Sequence, residues 1–147
     1  MDIRSGAGYP ATALSNFAGH RFIIDKVEVY SMEGLLQSFK FKEPHIQVEV
    51  CKLIGKAAKF RGKPKKWYRD QTLYWQGVPY KRDSDEYQEL LDRAYKCMFE
   101  QSESFRAALK AAGTSITHSM GKNKISETVL TEKEFCSRLM KLKKLII

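Results

Sequence analysis

Apolar and polar residues change period along this chain, and the changes mark its elements. Residues 21–30 alternate and are rich in β-branched and aromatic side chains. That pattern predicts a short hairpin turning at Asp25-Lys26. Residues 31–41 (SMEGLLQSFKF) switch to helical spacing, with Ser31 as N-cap and Glu33 in the first turn, where a carboxylate suits the helix dipole. Glu33, Gln37 and Lys40 stand at i, i+4 and i+7, within about 60° of one another on a helix surface. Leu35, Leu36 and Phe39 are expected on the opposite side. An acid, an amide and an amine on one face suit a site that holds a sugar hydroxyl or a reactive sugar carbon. They equally suit an amphipathic surface helix, and spacing alone leaves both open.

After Pro44, apolar residues Ile46, Val50, Leu53, Ile54 and Ala57 keep helical spacing. They predict a second helix over roughly residues 45–60, stopped by Gly62 and Pro64. A basic turn follows, carrying Trp67 and Tyr68. Residues 73–80 (LYWQGVPY) read as an edge strand or an irregular lid. Asp83 and Glu86 have capping-box spacing ahead of a helix that runs to about residue 100. Ser102 restarts a helix through residue 111, with Gly113 as its C-cap. Residues 115–123 (SITHSMGKN) have the small, polar character of a ligand loop or a short strand end. Thr131 and Glu134 form a capping box for a last helix with a core face of Phe135, Leu139, Leu142 and Ile146. At the other end, residues 1–12 read as extended or loop. Residues 14–17 (LSNF) read as a polar loop, with Phe17 as a core plug or Asn16 facing a ligand.

Composition narrows this picture. A 147-residue chain with 43% hydrophobic and 29% charged residues is expected to form one domain over residues 1–147. The formal net charge of +9 favours polyanionic partners, nucleic acid or a phosphate-rich ligand, and the basic residues are densest at 56–69 and 138–144. Cys51, Cys97 and Cys136 lie far apart, without C-x-x-C or zinc spacing, which argues for reduced, packed thiols. No run is long enough to span a bilayer and the N-terminus has no signal-peptide core, so the expected location is the cytoplasm. Walker, Rossmann, Gly-x-Ser-x-Gly and metal-cluster motifs are absent, which removes those classes of enzyme. Of the three isolated histidines, His118 in the small polar loop is the one placed to meet a ligand.

Two stretches together resemble a known family. LSNF at 14–17, followed by S-x-E-x-x-x-Q-x-x-K-F at 31–41, resembles the NADAR, or YbiA-like, family, whose members carry S-N-F, a short hairpin and then E-H-x-x-Q-x-x-K-F. The later A-x-x-x-x-F-x-Q at 94–101 and a Leu-Met stretch at 139–142 extend the likeness over about residues 14–145. The resemblance implies an α+β, predominantly helical domain with a small β-hairpin or sheet. It implies an N-glycosidase acting on ribose attached to nitrogen, with no cofactor and no metal. Family members are associated with phosphorylated intermediates of riboflavin synthesis, or with removal of ADP-ribose from guanine in nucleic acid. Carried over residue by residue, Glu33 matches the family acid and Lys40 the amine. Gln37, Asn16, Phe17 and Trp67 match substrate-binding positions. His118 stands where the family often has an acid, the region after it resembles a bacteriophage branch, and the segment 72–82 is longer than in the short bacterial form.

These expectations combine into two catalytic forms. Glu33 stabilises an oxocarbenium-like carbon or positions water, or Lys40 attacks C1 of an opened ribose to form an imine. The charge points to ADP-ribosylated guanine in nucleic acid, with Lys63, Lys65, Lys66 and Arg69 gripping phosphate. The alternatives are a riboflavin-pathway substrate and a protein that binds an ADP-ribose-like nucleotide without cleaving it, in a counter-defence role.

Overall fold

A computed structural model describes residues 1–146. The chain folds as α+β, with seven helices and two small antiparallel sheets among the described residues. Helix α2 (Met32–Ser38) lies in the middle. It packs against α3 (Pro44–Cys51), α4 (Lys56–Gly62), the long α5 (Asp85–Gln101) and strand β2 (Val27–Val29). Every residue of α2 except Glu33 is buried. The helix is therefore not the amphipathic surface helix that spacing allowed. Its polar stripe faces an interior cleft.

The β1–β2 hairpin (Phe22–Ile24, Val27–Val29) turns at Asp25-Lys26 as the alternation predicts. Both turn residues have positive φ, 48° and 69°, the backbone of a two-residue type I′ turn. A second hairpin, β3–β4 (Thr72–Trp75, Val78–Lys81), occupies the segment expected as an edge strand or lid, and Gln76-Gly77 supplies its turn. The hairpins are tied together at Asp25, whose carboxylate accepts from Trp75 Nε1 at 2.8 Å and from Arg93 at 3.0 Å.

The helix expected over 45–60 is two helices, α3 and α4. The break has a local cause. Tyr30 N donates to the Cys51 carbonyl and Ser31 Oγ to the Leu53 carbonyl, both at 2.8 Å. Those carbonyls are thereby diverted from continuing a helix, and Gly55 reverses the chain at φ 59°. Gly34 makes the close approach possible, since a Cβ there would lie 2.7 Å from the Leu53 oxygen. Ser31 also caps α2, accepting from Gly34 N. At the far end, Gln47 Nε2 lies 3.1, 3.0 and 2.8 Å from the carbonyls of Ser38, Phe41 and Tyr74. Tyr74 N donates to the Phe39 carbonyl at 2.8 Å. The last turn of α2, and with it Lys40, is fixed from both sides.

Two caps differ from expectation. The N-cap of α5 is Ser84 rather than Asp83, with Ser84 Oγ accepting from Tyr87 N. Helix α6 (Glu103–Ala111) is closed by Ala112 in extended backbone, so Gly113 does not serve as a left-handed cap. The capping box of Thr131 and Glu134 on α7 (Glu132–Lys143) is present. The N-terminal residues are more ordered than a loop reading suggests. Ile3 is fully buried, Asp2 bridges Thr117 in parallel, and Ile3 N donates to the Thr117 carbonyl at 2.8 Å. The short helix α1 (Ala11–Leu14) then leads to the loop of residues 15–19. No helix among the described residues is long and apolar enough to cross a membrane.

Candidate functional site

A cleft of about 670 Å³ opens between α2, the turn after α4 and the segments 118–122 and 127–131. Its size is that of a nucleotide-scale ligand site. Glu33, Gln37 and Lys40 all line it. Leu36, expected on the far side of α2, lines it too. At 100° per residue Leu36 stands only about 40° from Lys40, so the apolar stripe reaches the edge of the polar one.

Gln37 Nε2 donates to Glu33 Oε2 at 2.7 Å. Burial raises the Glu33 carboxyl above its ordinary value, although the Gln37 donor and the charges of Lys40 and Lys59 pull the other way. Burial lowers the Lys40 ammonium, against the attraction of Glu33, and the positive charge of Lys122 adds to the lowering. Among the described residues Lys40 Nζ makes no ion pair. Acid and amine thus share a desolvated space, each shifted toward its neutral form.

Asn16 and Phe17 line the cleft beside this trio. The Asn16 carbonyl accepts from Glu33 N at 3.0 Å, which joins the loop to the first turn of α2. The Asn16 side chain is held from behind by Tyr95, whose hydroxyl donates to Asn16 Oδ1 at 2.8 Å. Trp67, 8% exposed, forms part of the wall, with the half-exposed Tyr68 next to it. His118 also lines the cleft, but its Nδ1 donates to the Ile3 carbonyl at 2.7 Å and its ring meets the Phe135 edge. Those contacts seat the loop 115–123 on the core.

Six cations line the cleft, Arg4, Lys40, Lys59, Lys63, Lys65 and Lys122, against two acids, Glu33 and Glu127. Of the four basic residues expected to grip phosphate, Lys63 and Lys65 are in this set. Lys66 and Arg69 are exposed and lie outside it. Arg4, Lys59, Lys122 and Tyr95 were not singled out from the sequence. Lys59 lies on α4, four residues before its C-cap Lys63, and Lys122 lies inside the polar loop. Arg4 had no sequence signal, because the pairing of Ile3 with Thr117 brings it to the cleft.

The far wall is held by a buried ion pair. Arg82 donates to both Glu134 oxygens, at 3.0 and 2.6 Å, and to the Thr128 carbonyl at 2.7 Å. Burial works against ionisation of Glu134, but the bonds from Arg82, Thr131 N and Gln88 outweigh it and hold the carboxyl below its usual value. Tyr87 donates to the Val129 carbonyl. Thr128, Val129, Leu130 and Thr131 are presented to the cleft from this frame.

Seven helices with two small antiparallel sheets, among the described residues, are the architecture of a YbiA-like α+β protein. The fold matches the NMR structure of the E. coli protein YbiA with a TM-score of 0.63 and 16% identity, covering 99% of this chain and 83% of that one. At that identity the likeness speaks for the fold alone. The chain belongs to the bacteriophage protein GP30.3 family, which it matches over residues 8–144. It is 38% identical over 138 residues to an uncharacterized 17.1 kDa protein of the Gp30–rIII intergenic region of Enterobacteria phage T4, covering 92% of this chain and 91% of that protein.

Proposed function

We propose that the cleft hydrolyses the bond between a ribose carbon and a base nitrogen in a phosphate-bearing substrate, and that this substrate is ADP-ribosylated guanine in nucleic acid. The observation that carries the reading is the desolvated Glu33–Gln37–Lys40 line on a cleft whose lining holds six cations and two acids. The cations suit a diphosphate; the raised Glu33 suits proton transfer or charge stabilisation at C1. In the simplest form, Glu33 stabilises positive charge on the ribose ring as the C1–nitrogen bond breaks. Water then adds to C1 and the base leaves with a proton.

Lys40 supports a second form. A desolvated amine, without an ion-pair partner among the described residues, is suited to attack C1: the C1–nitrogen bond breaks and the base leaves with a proton, the ribose ring opens to an imine as its ring oxygen takes the second amine proton, and water hydrolyses the imine to free Lys40. Borohydride trapping followed by mass spectrometry separates the two, since only the imine form leaves a reduced adduct on Lys40. The function itself is tested by incubating the protein with an ADP-ribosylated guanine oligonucleotide and, separately, with a phosphorylated riboflavin precursor. Mass spectrometry is expected to show released ADP-ribose and restored guanine. Intact ligand recovered after denaturation would leave a binding protein, and cleavage of the precursor alone would reassign the substrate.

A further inference from the structure

We infer that Tyr95 is a positioning residue: its hydroxyl fixes the Asn16 amide so that both amide hydrogens are presented to the hydroxyl oxygens of a ribose lying against Glu33. This inference rests on the ribosyl reading of the cleft. Tyr95 is 1% exposed, and its ring packs 6.2 Å from Phe135. Among the described residues, Asn16 is the hydrogen-bond partner of its hydroxyl. A buried hydroxyl hydrogen without an acceptor is expensive, so the hydroxyl must donate. The only side-chain atom of Asn16 that accepts is Oδ1, which therefore faces Tyr95, and the NH2 group faces away from it.

Asn16 lines the cleft, and among the described residues nothing accepts from its NH2 group, so the cleft is where we place those two hydrogens. The loop cannot swing away, because the Asn16 carbonyl also accepts from Glu33 N. An amide whose oxygen is turned toward Tyr95 offers its donors on the opposite side. It therefore suits ligand oxygens, and hydroxyls of a ribose beside the reacting carbon are the oxygens that a ribosyl ligand brings nearest to Glu33. Reversed, the same amide would present a carbonyl toward an acid and repel it.

Four proteins test this: wild type, Tyr95→Phe, Asn16→Ala and the double variant, each titrated calorimetrically with ADP-ribose after its fold is checked by circular dichroism. Tyr95→Phe keeps the ring packing and frees the amide to rotate. We expect its Kd to rise about ten-fold, the loss of one oriented donor. Asn16→Ala should lose as much, and the double variant should match Asn16→Ala within about two-fold, because Tyr95 acts only through Asn16. Losses that multiply, or a Tyr95→Phe Kd within about two-fold of wild type, would overturn the inference. A readout without ligand covers failure of the ribosyl reading itself. The Asn16 side-chain NH2 resonances should shift in Tyr95→Phe, and unchanged resonances would also overturn it. Should Tyr95→Phe not fold, Asn16→Asp replaces it, with ADP-ribose binding lost; retained binding counts against the oriented donor.

Discussion

Gln37 donates to Glu33 from one end of its amide and presses its oxygen against Gly62 at the other. Because an ionised carboxylate only accepts, Nε2 must face Glu33 and Oε1 must face Gly62, where it is buried without a hydrogen-bond partner among the described residues. A Cβ on residue 62 would lie 1.9 Å from that oxygen. Gly62→Ala is therefore expected to displace the Gln37 side chain and free the Glu33 carboxyl. The overpacking should destabilise the fold by about 1–3 kcal/mol, read from urea unfolding, and cleavage should fall along with it.

Glu33→Gln tests the acid more directly. The substituted amide keeps an oxygen that accepts from Gln37 but cannot carry charge. Turnover is expected to drop about 10²–10⁴-fold, while ADP-ribose affinity stays within a few-fold. The pH profile adds a sign. In the mechanism proposed above, the ionised carboxylate is the form that stabilises the developing cation, and burial raises Glu33 above 4.5. The rate should climb with pH through a midpoint above 4.5, and Glu33→Gln should lack that limb. Near wild-type turnover in the variant would remove Glu33 from the chemistry.

Much of the site was legible in the sequence, and what was not legible has physical reasons. The stripe of Glu33, Gln37 and Lys40 follows from helical period, and all three line one cleft. The period could not say that α2 is central, because burial of Met32 and Gly34 depends on α3 and α4 wrapping around it. The break at 52–55 was hidden for the same reason. It depends on Tyr30 and Ser31 capturing carbonyls some twenty residues away in sequence. Capping chemistry is local, so the Thr131–Glu134 box is legible in the sequence, whereas at α5 and α6 the neighbouring residues Ser84 and Ala112 take the caps. Arg4 and Tyr95 reach the site through contacts of long sequence separation, which no local pattern encodes.

Lys40→Met should change stability with a definite pH dependence. Burial lowers Lys40 below 10.5, so its charged form is disfavoured in the folded state relative to the unfolded chain. The stability of the neutral amine is fully present above 10.5 and is lost as pH falls through the lowered folded value. At neutral pH the variant should thus unfold at higher urea than wild type. The advantage should shrink as pH rises toward 10.5. A variant less stable than wild type at neutral pH would show that the attraction to Glu33 outweighs burial.

The cations divide by place. Lys63→Gln and Lys65→Gln remove charge from the cleft lining, whereas Lys66→Gln and Arg69→Gln remove it outside. ADP-ribose binding should weaken a few-fold for each of the first pair and stay unchanged for the second, as expected for exposed charges worth about 0.2–1 kcal/mol. With an ADP-ribosylated oligonucleotide, all four should weaken binding and flatten its salt dependence, the slope falling by about 0.7 for each single-strand phosphate left without its cation. Equal responses to both ligands across the set would confine recognition to the nucleotide.

Arg82→Met probes the cleft wall at its support. The guanidinium is 1% exposed and holds both Glu134 oxygens as well as the Thr128 carbonyl. Removing it leaves Glu134 with Thr131 N and Gln88 as donors but no compensating charge. Breaking such a pair costs about 3–5 kcal/mol, and urea midpoints should fall accordingly. Arg82 is among the groups that hold Glu134 below its usual value. The wild-type contribution is therefore present above the ordinary carboxylate range and lost as pH drops through the depressed value. The gap between variant and wild type should accordingly narrow in acid. Arg82→Met/Glu134→Leu, which removes both charges, should recover part of the neutral-pH loss. ADP-ribose affinity separates the two roles of the pair: if the frame positions the wall at residues 128–131, affinity stays reduced in the double variant even where stability returns.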